Sequence, residues 1–351
     1  MQYRRLGKSD LEVPAVIFGA WAIGGWNWGG SDDGLAVRAI QASIDAGATA
    51  IDTAPVYGFG KSEHLVARAI QGRRDRVLLL TKVGLRWDDE SGEFYFQTAG
   101  EDGKPVRVHR NLQPASIQLE VERSLERLGT DRIDLLQVHW PDPRVPVEET
   151  MRALVALQKA GKVRAIGVSN YPPMMMDEAI PALGAVPLAS NQPKYSLVHR
   201  DAERELLPYC RKHDIGVIVY SPLEQGLLSG KVTTSRVFPA TDGRHKRPTF
   251  TPENRAAVNA ALDAVVKPIA ARHSATIAQV ALAWTIAQPG VTSAIAGART
   301  PEQAIENAGA GDLALSAEEL SAVRGAFTAL DLGRARRGSL VDRIVRRLLG
   351  D

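Results

Sequence analysis

Eight short, apolar, β-rich runs recur along the chain, separated by segments with helical periodicity, and this alternation limits the fold more than any other feature. The runs are Val16–Phe18, Thr49–Asp52, Val77–Thr81, Ile133–His139, Val163–Val168, Leu188–Gln192, Gly216–Tyr220 and Ser293–Ala296. Helical spacing of apolar residues marks Leu35–Ala46, Ser62–Gln71, Pro114–Leu128, Val147–Ala160, Asp201–Lys212 and Ile277–Ala287. Strands this apolar and this far apart suit a parallel sheet buried on both faces, not hairpins. Eight alternating units predict an α/β protein with a (β/α)8 TIM barrel; an open doubly wound sheet is the competing topology. The turn "GKSD", Gly7 to Asp10, predicts an N-terminal β-hairpin ahead of the barrel. Residues 85–112 and 221–251 read as two long polar loops at the C-terminal face.

Residues 1–332 are expected to form one barrel domain, followed by a basic amphipathic tail over 333–351. In the tail Leu340, Ile344 and Leu348 share a helical face. The tail offers a docked helix, a homo-oligomer contact or an acidic membrane surface. Its six arginines oppose two aspartates, so the formal +3 of the whole chain leaves the body near −1. No basic stripe for nucleic acid is expected on such a body. No apolar run approaches the ~20 residues of a membrane span, and the N-terminus has no apolar signal core. Cys210 stands alone, which excludes an intramolecular disulfide and a cysteine metal cluster. A cytoplasmic protein is expected. His64, His109, His199, His213, His245 and His273 lack ligand spacing, so no metal is expected. Met174 to Met176 read as gap-filling residues at a helix start.

In a barrel, the C-terminal strand ends line the active site. Here those ends carry Asp52, Lys82 and His139, with Tyr57 on the short loop after the second strand. Each alone has a structural reading: a capping Asp, a solvated Lys, a core His, a packing Tyr. Together they suggest acid chemistry. A free phenol has a pKa of ~10, and a neighbouring ammonium is expected to lower it. Asp52 would hold Lys82 charged, and His139 would orient a substrate oxygen. A tuned tyrosine protonates a carbonyl oxygen as charge develops there. Side chains supply no hydride, so a reduction implies a nicotinamide donor. No G-x-G-x-x-G follows the first strand, so a Rossmann pyrophosphate loop is absent. "GGWNWGG", from Gly24, has the wrong spacing, and its tryptophans Trp26 and Trp28 suit a pocket wall or simple loop packing. Arg299, just before Pro301, places a cation beside a helix N-terminus, a seat for a 2′-phosphate. NADPH is therefore expected over NADH.

Ordered motifs extend the reading: "GKSDLEV" from Gly7, "DTAPVYG" from Asp52, "GKSE" from Gly60 and "TK" at Thr81. "DLLQVH" from Asp134, "GKVRAIGVSN" from Gly161, "NQ" at Asn191, "YSPL" from Tyr220, "GLLSGK" from Gly226 and "GARTPEQAIEN" from Gly297 follow. In these the chain resembles the aldo-keto reductases, and looks most like the family's bacterial general-stress reductases. The resemblance implies a catalytic set of Asp52, Tyr57, Lys82 and His139, with Tyr57 as proton donor. It implies that Ser169, Asn170 and Gln192 hold a nicotinamide carboxamide and that Tyr220 stacks on its ring, with Trp21 and Asp52 close by. Ser221, Leu223, Gly226 and Lys231 would line the pyrophosphate. Gly297, Arg299, Gln303, Glu306 and Asn307 would take the adenosine end. Trp21, Tyr57, Trp87, His139 and Trp140 are expected around a small carbonyl substrate. Two positions depart from the family pattern, Ala296 and Lys194. The implied activity is reversible, NADPH-dependent reduction of an aldehyde or ketone. The alternatives are a redox-sensing regulatory subunit that holds its nucleotide tightly, and a sugar hydrolase, which would need paired carboxylates where only Asp52 is well placed.

Overall fold

The structure, a computed structural model, describes residues 1–26, 28–100 and 103–332. The eight expected runs are β3 (Val16–Gly19), β4 (Ala50–Asp52), β5 (Leu78–Val83), β9 (Ile133–Val138), β10 (Val163–Ser169), β11 (Leu188–Gln192), β12 (Gly216–Tyr220) and β13 (Ser293–Gly297). All eight pair in parallel and close as β3-β4-β5-β9-β10-β11-β12-β13, with β13 returning to β3. Closure excludes the open doubly wound sheet. Around the barrel lie α1 (Asp33–Asp45), α2 (Lys61–Ile70), α3 (Pro114–Leu128), α4 (Val147–Lys159), α5 (Pro173–Leu183), α6 (Leu206–His213), α7 (Pro252–Ala261), α8 (Lys267–Arg272), α9 (Ile277–Ile286), α10 (Pro301–Gly309) and α11 (Ala317–Thr328). Among the described residues no helix is long and apolar enough to cross a membrane. The tail from residue 333 lies outside the described residues.

Strand alternation divides the core. Ile17, Ala50, Leu80, Leu135, Ile218 and Ile295 fill the barrel interior. Their chain neighbours Phe18, Ile51, Leu79, Leu136, Val217 and Ala294 face the helices instead. The expected N-terminal hairpin is β1 (Tyr3–Arg5) with β2 (Glu12–Pro14), and its Leu6, Leu11 and Val13 join the interior cluster as a plug. Gly7 makes the plug turn with φ 54, and a Cβ there would lie 2.7 Å from the Ala189 carbonyl oxygen.

Two expectations are corrected. Residues 85–112 are not a polar loop but mostly sheet. β6 (Leu85–Arg86), β7 (Glu93–Ala99) and β8 (Pro105–Arg110) form an antiparallel layer in the order β6-β8-β7. "EFYF" and "VRVH" carry the aromatic and β-branched residues that such a layer needs. The expected helix Asp201–Lys212 is split into a 3-10 turn, Asp201–Glu203, and α6. Pro208 has no N–H and fits only a first turn, so α6 must begin just before it. The methionine run sits at the start of α5 as expected, with Met175 and Met176 buried and Met174 exposed.

Gly84 turns the chain from β5 into the added sheet, and Glu120 of α3 accepts its N–H at 3.0 and 3.2 Å. Burial raises the Glu120 carboxyl to about 8, against the pull of that N–H and of Arg86. The folded chain therefore keeps this proton to about pH 8, while the unfolded chain releases it near 4.5. Stability from this site is complete below the unfolded value and is lost as pH rises through the folded one, by several kcal/mol. The unfolding free energy of Glu120→Gln should be less steep between pH 5 and pH 9 than that of the parent. Parallel urea titrations of the two proteins would reject the assignment if their pH slopes coincide.

Candidate active site

The two-residue period that fills the barrel also lifts chemistry to its mouth. Two positions beyond the interior residues Ala50, Leu80 and Leu135 stand Asp52, Lys82 and Gln137, all buried, and His139 follows two further on. Lys82 Nζ donates to Asp52 Oδ1 at 2.7 Å and to the Thr53 carbonyl at 2.9 Å. Asp52 Oδ2 accepts from Gln192 Nε2 at 2.8 Å, and that amide nitrogen also reaches Gln137 Oε1 at 3.2 Å. Lys82 Nζ lies 5.1 Å from the centre of the Tyr57 ring. His139 meets the same ring edge-on, at 5.8 Å and 82°. Tyr57 is placed by its neighbour Gly58, whose φ is 63 and whose Cβ, if it had one, would collide with the Gly24 carbonyl. The loops after β3 and β4 thus pack backbone on backbone, which sets Trp21 6.2 Å from Tyr57.

Burial dominates the electrostatics. It lowers the Lys82 pKa, with Asp52 and Glu63 opposing. Burial and then the Lys82 charge push the His139 imidazole well below its usual range, so it is neutral near pH 7. The Tyr57 phenol is held well above 10, first by burial and then by the Asp52 carboxylate. This reverses the expected direction for Tyr57. The Lys82 charge, already paired with Asp52 at contact distance, does not offset the cost of burying a phenolate there. Behind Lys82, fully buried Glu63 accepts from Thr81 Oγ1 at 2.8 Å and Arg127 Nε at 2.6 Å.

A cavity of about 470 Å³ opens above these groups. Asp52, Tyr57, His139, Trp21 and Trp140 line it, as do Ser169, Asn170, Gln192, Tyr220, Ser221, Leu223, Gly226 and Lys231. So do Gly297, Arg299, Gln303, Glu306 and Asn307. Two residues expected at the site are not on its wall. Lys82 lies beneath Asp52. Trp87, expected in the substrate pocket, packs behind it on Phe59 at 5.9 Å and under Arg127 at 5.9 Å. It follows β6, whose Leu85 still lines the cavity. Trp26 and Trp28 both line the cavity.

Asn170, at φ 61, donates to Ser169 Oγ at 2.9 Å and accepts from the Tyr220 hydroxyl at 3.0 Å. Lys231 pairs with Glu306 Oε2 at 2.8 Å, while Glu306 Oε1 is buried with no hydrogen-bond partner. The Arg299 guanidinium donates to the Trp28 and Gly30 carbonyls. Lys194, a departure from the family pattern, pairs with buried Glu224 at 2.6 Å. Glu224 sits in a stretch where Ser221, Glu224 and Gln225 all have positive φ.

Sequence reasoning missed Gln137, Glu63, Glu224, Tyr95 and Phe96. Gln137 was legible as the residue two before His139 on one strand, whereas Glu63 gave no signal, because only tertiary packing brings α2 behind β5.

This barrel, with its buried charge pair under an aromatic mouth, defines a known class. The family model described as "Aldo/keto reductase family" matches residues 15–327, and the chain belongs to that family, an oxidoreductase that reduces carbonyl groups. Among its relatives, the aldo-keto reductase YhdN of Bacillus subtilis (strain 168) is 40% identical over 305 residues, covering 86% of each chain. The NADH-specific methylglyoxal reductase of Escherichia coli (strain K12) is 37% identical over 333 residues, 93% of this chain and 98% of that protein. Among solved structures, the glycerol dehydrogenase AKR11B4 from Gluconobacter oxydans superposes with a TM-score of 0.80 at 37% identity, over 99% of this chain and 96% of that one.

Proposed function

We propose that this protein reduces an aldehyde or ketone to an alcohol at the expense of NADPH, with Tyr57 as the proton donor. The observation that carries the reading is Lys82, buried behind the wall of the cavity between the Asp52 carboxylate at 2.7 Å and the Tyr57 ring at 5.1 Å, both of which line that wall. The residues fit a dinucleotide. One part of the cavity offers the Tyr220 ring and the polar groups of Ser169, Asn170 and Gln192. Another offers the cations Lys231 and Arg299, the N-terminus of α10 and the unpartnered Glu306 Oε1, an acceptor for an amino group. Bound along this cleft, the reduced nicotinamide supplies the hydride.

The side chains supply the rest. Neutral His139 donates a hydrogen bond to the substrate carbonyl oxygen and orients it beside Tyr57. The phenol keeps its proton at every physiological pH and releases it to that oxygen as negative charge develops there. Lys82, anchored by Asp52 and Thr53, stabilises the phenolate left behind. The same groups serve the reverse oxidation. Incubation with NADPH or NADH and a panel of carbonyl compounds, followed at 340 nm, tests the reading; no turnover of any carbonyl with either nucleotide would reject it.

Preference for NADPH rests on Arg299 and Lys231. Arg299→Met is expected to raise KM for NADPH by about 10–100-fold and for NADH by much less, since it removes a charge-assisted contact. The relative named NADH-specific makes the opposite result informative: an equal effect on both nucleotides would assign Arg299 to the loop carbonyls it already holds.

A further inference from the structure

We propose that Tyr95, carried to the barrel mouth by the β6–β8 sheet, is a specificity-determining residue that shapes a slot for aryl aldehydes and ketones in preference to three-carbon carbonyl compounds. The inference rests on the carbonyl-reducing function proposed above and names its substrate class. In a regular strand consecutive side chains point to opposite faces. Here the pairing of β7 with β8 shifts register between Phe94 and Phe96, and Tyr95 and Phe96 both line the cavity. Such irregularities re-aim side chains beside active sites.

The two rings touch edge-on at 5.3 Å, and each has a further strut of its own. Tyr95 packs on Trp140 at 5.8 Å, and the guanidinium of Arg110 covers its ring at 5.0 Å. Arg110 is itself buried, tied to the Pro141 carbonyl at 3.1 Å and paired with Glu93. Phe96 stacks on Trp26 at 5.8 Å and 9°, and Trp26 Nε1 donates to Thr98 Oγ1 at 2.8 Å. Burial raises the Tyr95 hydroxyl to about 12, so the ring stays neutral. Tyr95 and Phe96, in edge-to-face contact at 5.3 Å, join Trp26 and Trp140 in one fixed aromatic wall of the cavity, which rewards a flat, apolar substrate; a three-carbon carbonyl compound would leave it uncovered.

The test compares kcat/KM for 2-naphthaldehyde with kcat/KM for methylglyoxal in the parent, Tyr95→Ala and Tyr95→Phe. Tyr95→Ala is expected to lower the aryl-to-methylglyoxal ratio by about tenfold or more, and Tyr95→Phe, which keeps the ring, to hold it within about threefold. Calorimetric binding of 2-naphthalenemethanol provides a readout that needs no turnover, and Tyr95→Ala should weaken it by a similar factor. An unchanged ratio with unchanged binding overturns the proposal. Binding that Tyr95→Ala weakens, in a protein that reduces no carbonyl, supports the slot and rejects the reduction chemistry instead.

Discussion

Tyr57→Phe should lower kcat for carbonyl reduction by about three orders of magnitude while nucleotide affinity shifts by less than about threefold. The variant deletes one oxygen and keeps the ring that packs against Trp21 at 6.2 Å, against His139 at 5.8 Å and under Lys82 at 5.1 Å. Fold and cleft are therefore retained, and the missing part is the proton. Tyr57 carries its hydroxyl on the ring that meets both His139 and the Lys82 ammonium. Steady-state rates and nucleotide fluorescence titration on the same preparation measure the two effects separately. A variant that turns over as fast as the parent would remove Tyr57 from the chemistry and leave it a packing residue.

Lys82→Met should cost both stability and turnover. The ammonium is fully buried and is the nearest cation to Asp52, which is only 2% exposed. Met fills similar volume without charge, so the loss is electrostatic. Asp52 would remain as a buried carboxylate held by Gln192 alone at 2.8 Å, with Gln137 at the margin of contact at 3.5 Å. Breaking a buried pair in this way costs about 3–5 kcal/mol, because a charge is left without its partner. Adding Asp52→Asn to Lys82→Met should recover a large part of that loss without restoring turnover. Urea denaturation of the two single variants and the double variant yields the coupling. Additive destabilisation would show that the pair contributes by packing and not by charge.

The barrel was legible because its signal is local. A strand buried on both faces needs a short apolar run, and the eight runs are visible without any knowledge of what they touch. β11 and β12 have the ends read from the sequence, Leu188–Gln192 and Gly216–Tyr220. β5 continues past its expected end to Val83, through Lys82, since a buried polar residue can follow the pleat when a partner waits inside the barrel. The 85–112 segment reads as a polar loop because a sheet that is half exposed has a weaker pattern than a buried strand. Trp87 was expected in the pocket as one of several aromatic residues that could line it. The direction taken by the added sheet put it on Phe59 and Arg127 instead.

The amino-acid sequence by itself determined the order of the eight parallel strands and which titratable residues stand at their ends. Those properties follow from backbone periods of 2 and 3.6 residues and from turn chemistry, which act between near neighbours. Only the tertiary structure decided that the barrel closes, that the Tyr57 phenol is raised, that Lys194 pairs with Glu224, and that Tyr95 reaches the mouth. The last three depend on how deeply a group is desolvated and on which partner from a distant element arrives within reach, and a closed barrel sets both at once.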